Sequence, residues 1–199
     1  MNEKKNVIVL LLAMVLLIGG ASVLYGKLEK TDAPDQLLVQ GEKDDKEEET
    51  KTTEPQETQP QRTKAPDFTV YDGAGKEVHL WDYMGKPIVL NFWASWCGPC
   101  QSEMPDFHEK YLTLGEEVQF LMVNMTGGRE TIGSAKAFID QKGYTFPVLF
   151  DTDSNAANIY SVYSLPTTYF IDAQGYLVAQ ATGAISGDTL QRGIDMITE

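Results

Sequence analysis

An α/β fold, with a central mixed sheet and helices on both faces, is predicted by three observations. The apolar run Ile88-Val89-Leu90-Asn91-Phe92-Trp93 has the length and character of a buried strand. It leads within a few residues into a helix-forming stretch, 101–114, and strand-like and helix-like segments then alternate toward the C-terminus. Two hairpin signals, Asp72-Gly73-Ala74-Gly75 and Ala173-Gln174-Gly175, supply antiparallel members to a sheet that would otherwise be parallel.

In chain order, residues 67–71 and 77–80 flank the first of these turns and form an N-terminal β-hairpin. Trp81-Asp82-Tyr83-Met84-Gly85 turns the chain into the core strand 88–93, and helix 101–114 follows. The apolar stretch 118–125 reads as a second buried strand, and 129–142 as a helix closed by Gly143. Between them, Thr126-Gly127-Gly128-Arg129 reads as a plain strand-to-helix turn, the alternative being a loop at the edge of an active site. A further strand at 146–150 and a short helix at 154–160 come next. Residues 169–172 and 176–181 form the C-terminal hairpin, and 188–198 the closing helix. No internal repeat is present.

Of the 199 residues, only those from 65 to 199 have globular composition, enough for one domain. Residues 1–27 contain an uncharged apolar run, 7–25, which at 1.5 Å per residue is long enough to cross about 30 Å of hydrocarbon. Lys4 and Lys5 precede it, so the N-terminus is expected on the cytoplasmic side and everything after Lys27 outside the cytoplasm. A cleavable signal peptide ending near Gly19-Gly20-Ala21 is the alternative. An uncleaved single-pass anchor is preferred because apolar residues continue past that point and no cysteine follows to take a lipid. Residues 28–64, rich in Glu, Lys, Thr, Gln and Pro and almost free of aromatics, read as a disordered acidic tether. From Ala65 onward 17 acids stand against 7 bases, which argues against nucleic acid as a partner; solubility alone explains the excess, the alternative being attraction of basic client segments.

The chemistry concentrates in Trp96-Cys97-Gly98-Pro99-Cys100, which holds the two cysteines of the chain. The segment joins the apolar strand to the helix, so Cys97 falls at a helix N-terminus, where unpaired N–H groups and the macrodipole favour a thiolate. Cys97 is therefore the expected nucleophile. A zinc site would have to recruit His79 and His108, which lack the paired spacing that such sites use. A structural disulfide would close too short a loop to constrain the unfolded chain much. Gln101 follows Cys100 where haem attachment would need His.

The segment from Phe92 to Cys100 resembles the active site of the thioredoxin superfamily. The resemblance continues with Pro105, where these proteins kink the active-site helix, and with Leu165-Pro166-Thr167-Thr168-Tyr169-Phe170-Ile171-Asp172, where they hold a cis-proline beside the dithiol. Asn91 and Glu103 stand where the membrane-anchored TlpA and ResA type carries Asn and Glu, in place of the buried Asp of ordinary thioredoxins. The resemblance implies a thioredoxin-like fold, with the N-terminal hairpin and the strand-helix insertion between Lys142 and Pro166 as that branch's additions. It implies a thiol-disulfide oxidoreductase whose redox-active group is the Cys97–Cys100 disulfide, with no bound cofactor or metal.

In that reading Cys97 and Cys100 are catalytic and Glu103 exchanges protons or tunes the thiols by like-charge repulsion. Trp96, Gly98, Pro99, Leu165 and Pro166 contact the client, with the Leu165 backbone offering hydrogen bonds to an extended chain. Trp93 serves either as an apolar wall or as core. The Gly98-Pro99 pair resembles that of reducing thioredoxins, which favours a disulfide reductase over an oxidase that makes disulfides; a client-binding module with an idle dithiol is the alternative from another class. A peroxiredoxin-like peroxidase fits less well, for its Thr-containing loop is missing. The partners implied are clients with disulfides, such as apocytochrome c or a methionine sulfoxide reductase, and a membrane thiol-electron carrier as reductant.

Overall fold

A computed structural model describes residues 37–39 and 62–199. The described strands are β1 (Leu38–Val39), β2 (Thr69–Tyr71), β3 (Glu77–His79), β4 (Ile88–Trp93), β5 (Gln119–Asn124), β6 (Val148–Phe150), β7 (Thr167–Ile171) and β8 (Leu177–Thr182). The helices are α1 (Gly98–Leu114), α2 (Ile132–Lys142), α3 (Asn155–Ile159) and α4 (Gly187–Thr198). All strands join one mixed sheet in the order β1-β8-β7-β4-β5-β6-β2-β3.

All six residues of β4 are buried, which requires a neighbour on each edge and cover on each face. β5 pairs with it in parallel and β7 antiparallel, with Phe92 opposite both Val123 and Thr167. Side chains alternate along β4, so Val89, Asn91 and Trp93 share one face and Ile88, Leu90 and Phe92 the other. On the first face Val89 and Trp93 join a core with Met104 and Phe107 of α1, Ile139 of α2 and Ile194 of α4. On the second, Leu90 and Phe92 pack with Phe68 and Val70 of the hairpin region and with Tyr160 beyond α3. The consecutive parallel pairs β4-β5 and β5-β6 advance in one direction, so right-handed crossovers place α1 and α2 on the same face. At Gly193, α4 approaches β7 so closely that a Cβ would lie 2.2 Å from the Phe170 ring.

Element boundaries differ from expectation for identifiable reasons. Helix α1 begins at Gly98, ahead of the helix-forming stretch 101–114 and as the placement of Cys97 at its N-terminus requires: Cys97 itself is the N-cap and Pro99 is tolerated in the first turn. Helix α2 begins at Ile132, not 129, because extended Thr131 caps it, its Oγ1 accepting from Ser134 N while its own N–H donates to Ser134 Oγ. The turn at 81–85 is a 3₁₀ helix, Leu80–Tyr83, in which Asp82 accepts from His79 N at 2.9 Å. His79 lies beside Asp67 and Glu77, whereas His108 packs on the Tyr144 and Phe146 rings.

The apolar run 7–25 lies outside the described residues; among those described, no helix is long and apolar enough to cross a membrane. Of the tether stretch 28–64, residues 37–39 and 62–64 are described, and they lie on the outer edge of β8. Leu38 and Val39 pair antiparallel with Gln180 and Ala179, while Thr63 O accepts from Leu177 N at 2.9 Å and Lys64 bridges Tyr176. The tether reading therefore does not hold at these six positions. Leu38 and Val39 keep exposed side chains, so backbone pairing holds them, helped by Leu37 against the core. Arg62 pairs with Asp172 and lies over the Tyr176 ring. A chain starting at Ala65 loses all of these contacts and is expected to be less stable by about 1–2 kcal/mol than one starting at Asp35. Urea unfolding midpoints compare the two; equal midpoints would show that the edge segments contribute nothing.

Candidate active site

The dithiol stands just beyond the C-terminal end of β4, where an open α/β sheet leaves a crevice. Cys97 caps α1: its Sγ accepts from Cys100 N at 3.2 Å, and the two cysteines form a disulfide. Cys97 is 5% exposed and Cys100 fully buried, so an incoming group reaches Cys97 first. The same amide that caps the helix would stabilise a Cys97 thiolate once the disulfide opens. Leu165-Pro166 is a cis peptide, as the resemblance implies.

One turn past Cys100, Glu103 projects inward and is 2% exposed. Its Oε1 accepts from Asn91 Nδ2 at 2.9 Å and its Oε2 from Ile185 N at 3.0 Å. Burial pushes its carboxyl up from the usual range to about 8, opposed by those two donors, while the charge of Asp106 adds a smaller upward push. Glu103 is thus a carboxyl that holds its proton near neutral pH and can release it just above. Asn91 also donates to Thr168 Oγ1 at 3.0 Å, and its own Oδ1 has no partner among the described residues. An amide suits both states of Glu103: Nδ2 donates to the carboxylate, and after a flip Oδ1 accepts from the acid.

In front of Cys97 lies a groove of about 750 Å³. Trp96, Gly98 and Pro99 line one side and Leu165 the other, so four of the five client-contact residues expected from the sequence meet there. Pro166 is buried beneath, and its carbonyl accepts from Gly183 N. Leu165 N–H and C=O enter no hydrogen bond among the described residues, which leaves both to a docking chain. Trp93 is core: it is fully buried and its ring packs against Phe138.

Two groups at this site escape the sequence reading. Glu130, 2% exposed, accepts from Ser95 N at 3.1 Å and Ser95 Oγ at 2.8 Å through Oε2, and from Asn124 Nδ2 at 3.3 Å through Oε1. It clamps the turn that presents Trp96 and Cys97 to the ends of β5 and α2. Gly127, Gly128 and Arg129 line the groove, so the segment read as a plain turn is also the active-site edge, as its alternative reading held. The only local hint was a glycine pair between strand and helix.

The AhpC/TSA family matches residues 62–180. Over 134 residues, 67% of this chain and 75% of the relative, the sequence is 38% identical to thiol-disulfide oxidoreductase ResA of Geobacillus kaustophilus (strain HTA426). Over 133 residues, 67% and 78% of the two chains, it is 33% identical to the thioredoxin-like protein YneN of Bacillus subtilis (strain 168). Among solved structures, a thiol:disulfide interchange protein of the thioredoxin family from Chlorobium tepidum TLS superposes with a TM-score of 0.62 at 25% identity, covering 70% of this chain and 99% of that one.

Because the folded Glu103 binds a proton that the unfolded chain has lost, the oxidised protein should lose stability as pH rises from about 4.5 to about 8. The contribution of this group is about 1.4 kcal/mol per pH unit within that window. Urea unfolding across pH 5–9 measures it; Glu103→Gln should flatten the profile, and an unchanged slope would place the titration elsewhere. Glu130→Ala leaves the partly buried Ser95 N–H without its acceptor and should destabilise the fold by about 1–2 kcal/mol. It should also slow disulfide exchange while Glu130→Gln, which keeps one acceptor oxygen, loses less; both are read from unfolding curves and single-turnover exchange rates.

Proposed function

The chain belongs to the AhpC/TSA family of thioredoxin-like proteins and is a thiol-disulfide oxidoreductase, and from that premise we propose that it works outside the cytoplasm as a membrane-anchored disulfide reductase. The observation that carries the reading is the asymmetry of the dithiol: Cys97 caps a helix at the floor of the groove, and Cys100 lies buried behind it one turn from Glu103.

The reaction follows from that asymmetry. The Cys97 thiolate attacks one sulfur of a client disulfide; a Cys97–client bond forms as the client bond breaks, and the leaving sulfur departs as a thiolate that takes up a proton. Leu165 holds the extended client alongside, strand to strand. Cys100 then loses its proton, for which Glu103 on the same helix face is the nearby acceptor once its carboxyl has ionised, and attacks Cys97 Sγ. The Cys97–Cys100 bond forms and the second client thiolate leaves. Two electrons have passed from the dithiol to the client.

Direction is proposed from the Gly98-Pro99 pair between the cysteines and its likeness to reducing thioredoxins. Outside the cytoplasm such a reductase draws electrons from a membrane thiol carrier, and its clients are exported proteins with disulfides, apocytochrome c and methionine sulfoxide reductase among them. Anchoring rests on residues 7–25 and the lysines before them.

The test is the equilibrium reduction potential of Cys97–Cys100 in the full-length protein in detergent, titrated in redox buffers with Trp fluorescence as readout. A value near the about −270 mV of thioredoxin is expected. A value toward the about −120 mV of a strong thiol oxidant would overturn the reductase reading in favour of disulfide formation.

A further inference from the structure

Arg129 stands where no catalytic step has used it. Its guanidinium lies 3.7 Å above the centroid of the Trp96 ring, one residue before the nucleophile. It is exposed, and among the described residues it makes no hydrogen bond and no ion pair. Stacking occupies only the face of the guanidinium, so the N–H donors in its plane stay available, arranged as the fork that fits a carboxylate.

Its position is fixed by the turn that carries it. Gly127 N donates to Glu130 O at 3.0 Å and Glu130 N to Gly127 O at 2.9 Å, closing a two-residue turn with Gly128 at φ 58° and Arg129 beside it. Glu130 is in turn bound to Ser95 N and Oγ. The arginine is thus tied through its neighbour to the same segment that presents Cys97.

The local charge of the groove opposes that of the domain. Apart from Arg129, the one Asp, Glu, Lys, Arg or His among the described residues lining it is Asp151, which is buried with its oxygens accepting from Ala156 N at 3.2 Å and Ala157 N at 2.8 Å. From Ala65 onward the chain carries 17 acids against 7 bases, yet among the described residues the accessible charge facing the groove is a cation without a counter-ion. Basic clients suit the surface at long range; the site itself offers a seat for an anion.

We propose that Arg129 is a specificity-determining residue that selects client segments carrying an acidic side chain on the same face as the reacting cysteine. An extended client aligned on Leu165 places residues two positions from its cysteine on that face, beside the Trp96–Arg129 wall. This inference rests on disulfide exchange at Cys97 and not on the direction in which exchange runs.

The experiment uses the full-length reduced protein and peptides with one cysteine in mixed disulfide with 2-mercaptoethanol, the residues two positions to either side being both Glu, both Gln or both Lys. Second-order rates are normalised to the Gln peptide within each variant. For the unmodified protein the Glu peptide should react about three- to fivefold faster than the Lys peptide at low salt, with the difference shrinking at 0.5 M NaCl. Arg129→Gln should level the ranking and Arg129→Glu should reverse it. A flat or Lys-first ranking in the unmodified protein, or an unchanged ranking in Arg129→Glu, would overturn the proposal. The ranking is also read with oxidised protein and the free-thiol peptides, so a preserved ranking alongside an oxidising potential would reject the reductase reading and keep this one.

Discussion

A buried carboxyl group on the active-site helix organises the catalytic half of this molecule. Glu103 receives an N–H from Asn91 on β4 and another from Ile185 in the loop before α4, and Asn91 passes the connection to Thr168 on β7. One ionisable side chain therefore fixes α1 against two central strands and the entry to the last helix. Removing a carboxyl group from water disfavours its charge, and the same contacts that hold it are donors that favour the charge. The balance leaves a group that titrates at about 8, close to where thiols change state. A structural anchor and a proton store are the same atoms.

Around that anchor the two cysteines acquire different roles from position alone. Their sequence spacing is symmetric in chemistry, yet the strand-to-helix junction puts Cys97 at the helix cap beneath the groove and turns Cys100 into the core with Met104 and Phe107. Glu130 completes the arrangement from the opposite side, holding the Ser95 turn by its N–H and its hydroxyl. The nucleophile is thus presented by a segment fixed at both ends, by the helix it caps and by a carboxylate from another loop.

The remainder of the sheet supports this half. The hairpin β2-β3 and the insertion β6-α3 extend the sheet on one side and cover the second face of β4, where Phe92, Tyr160 and Tyr169 meet edge to face or tilted. On the other side β8 is covered by segments of the N-terminal stretch that pair through backbone, with Leu37 and Arg62 adding side-chain contacts, which blunts an otherwise open edge.

By itself the sequence determined those features whose signals are local. The strand Ile88–Trp93 declares itself by five apolar or aromatic residues around one Asn, the dithiol by two cysteines at helix-start spacing, and the cis Leu165-Pro166 and buried Glu103 by motifs a few residues long. Even the boundary error at 132 was local, arising where Thr131 acts as a cap. What the tertiary structure alone decided are contacts between distant segments: Glu130 to Ser95, Arg129 over Trp96, and Leu38–Val39 on β8. An exposed arginine, an acid after a glycine pair and two apolar residues in a charged stretch carry no periodicity to mark them. Their roles come from which chain they are folded against, because hydrogen bonds and ring stacking act over a few ångströms of space whatever the distance in sequence.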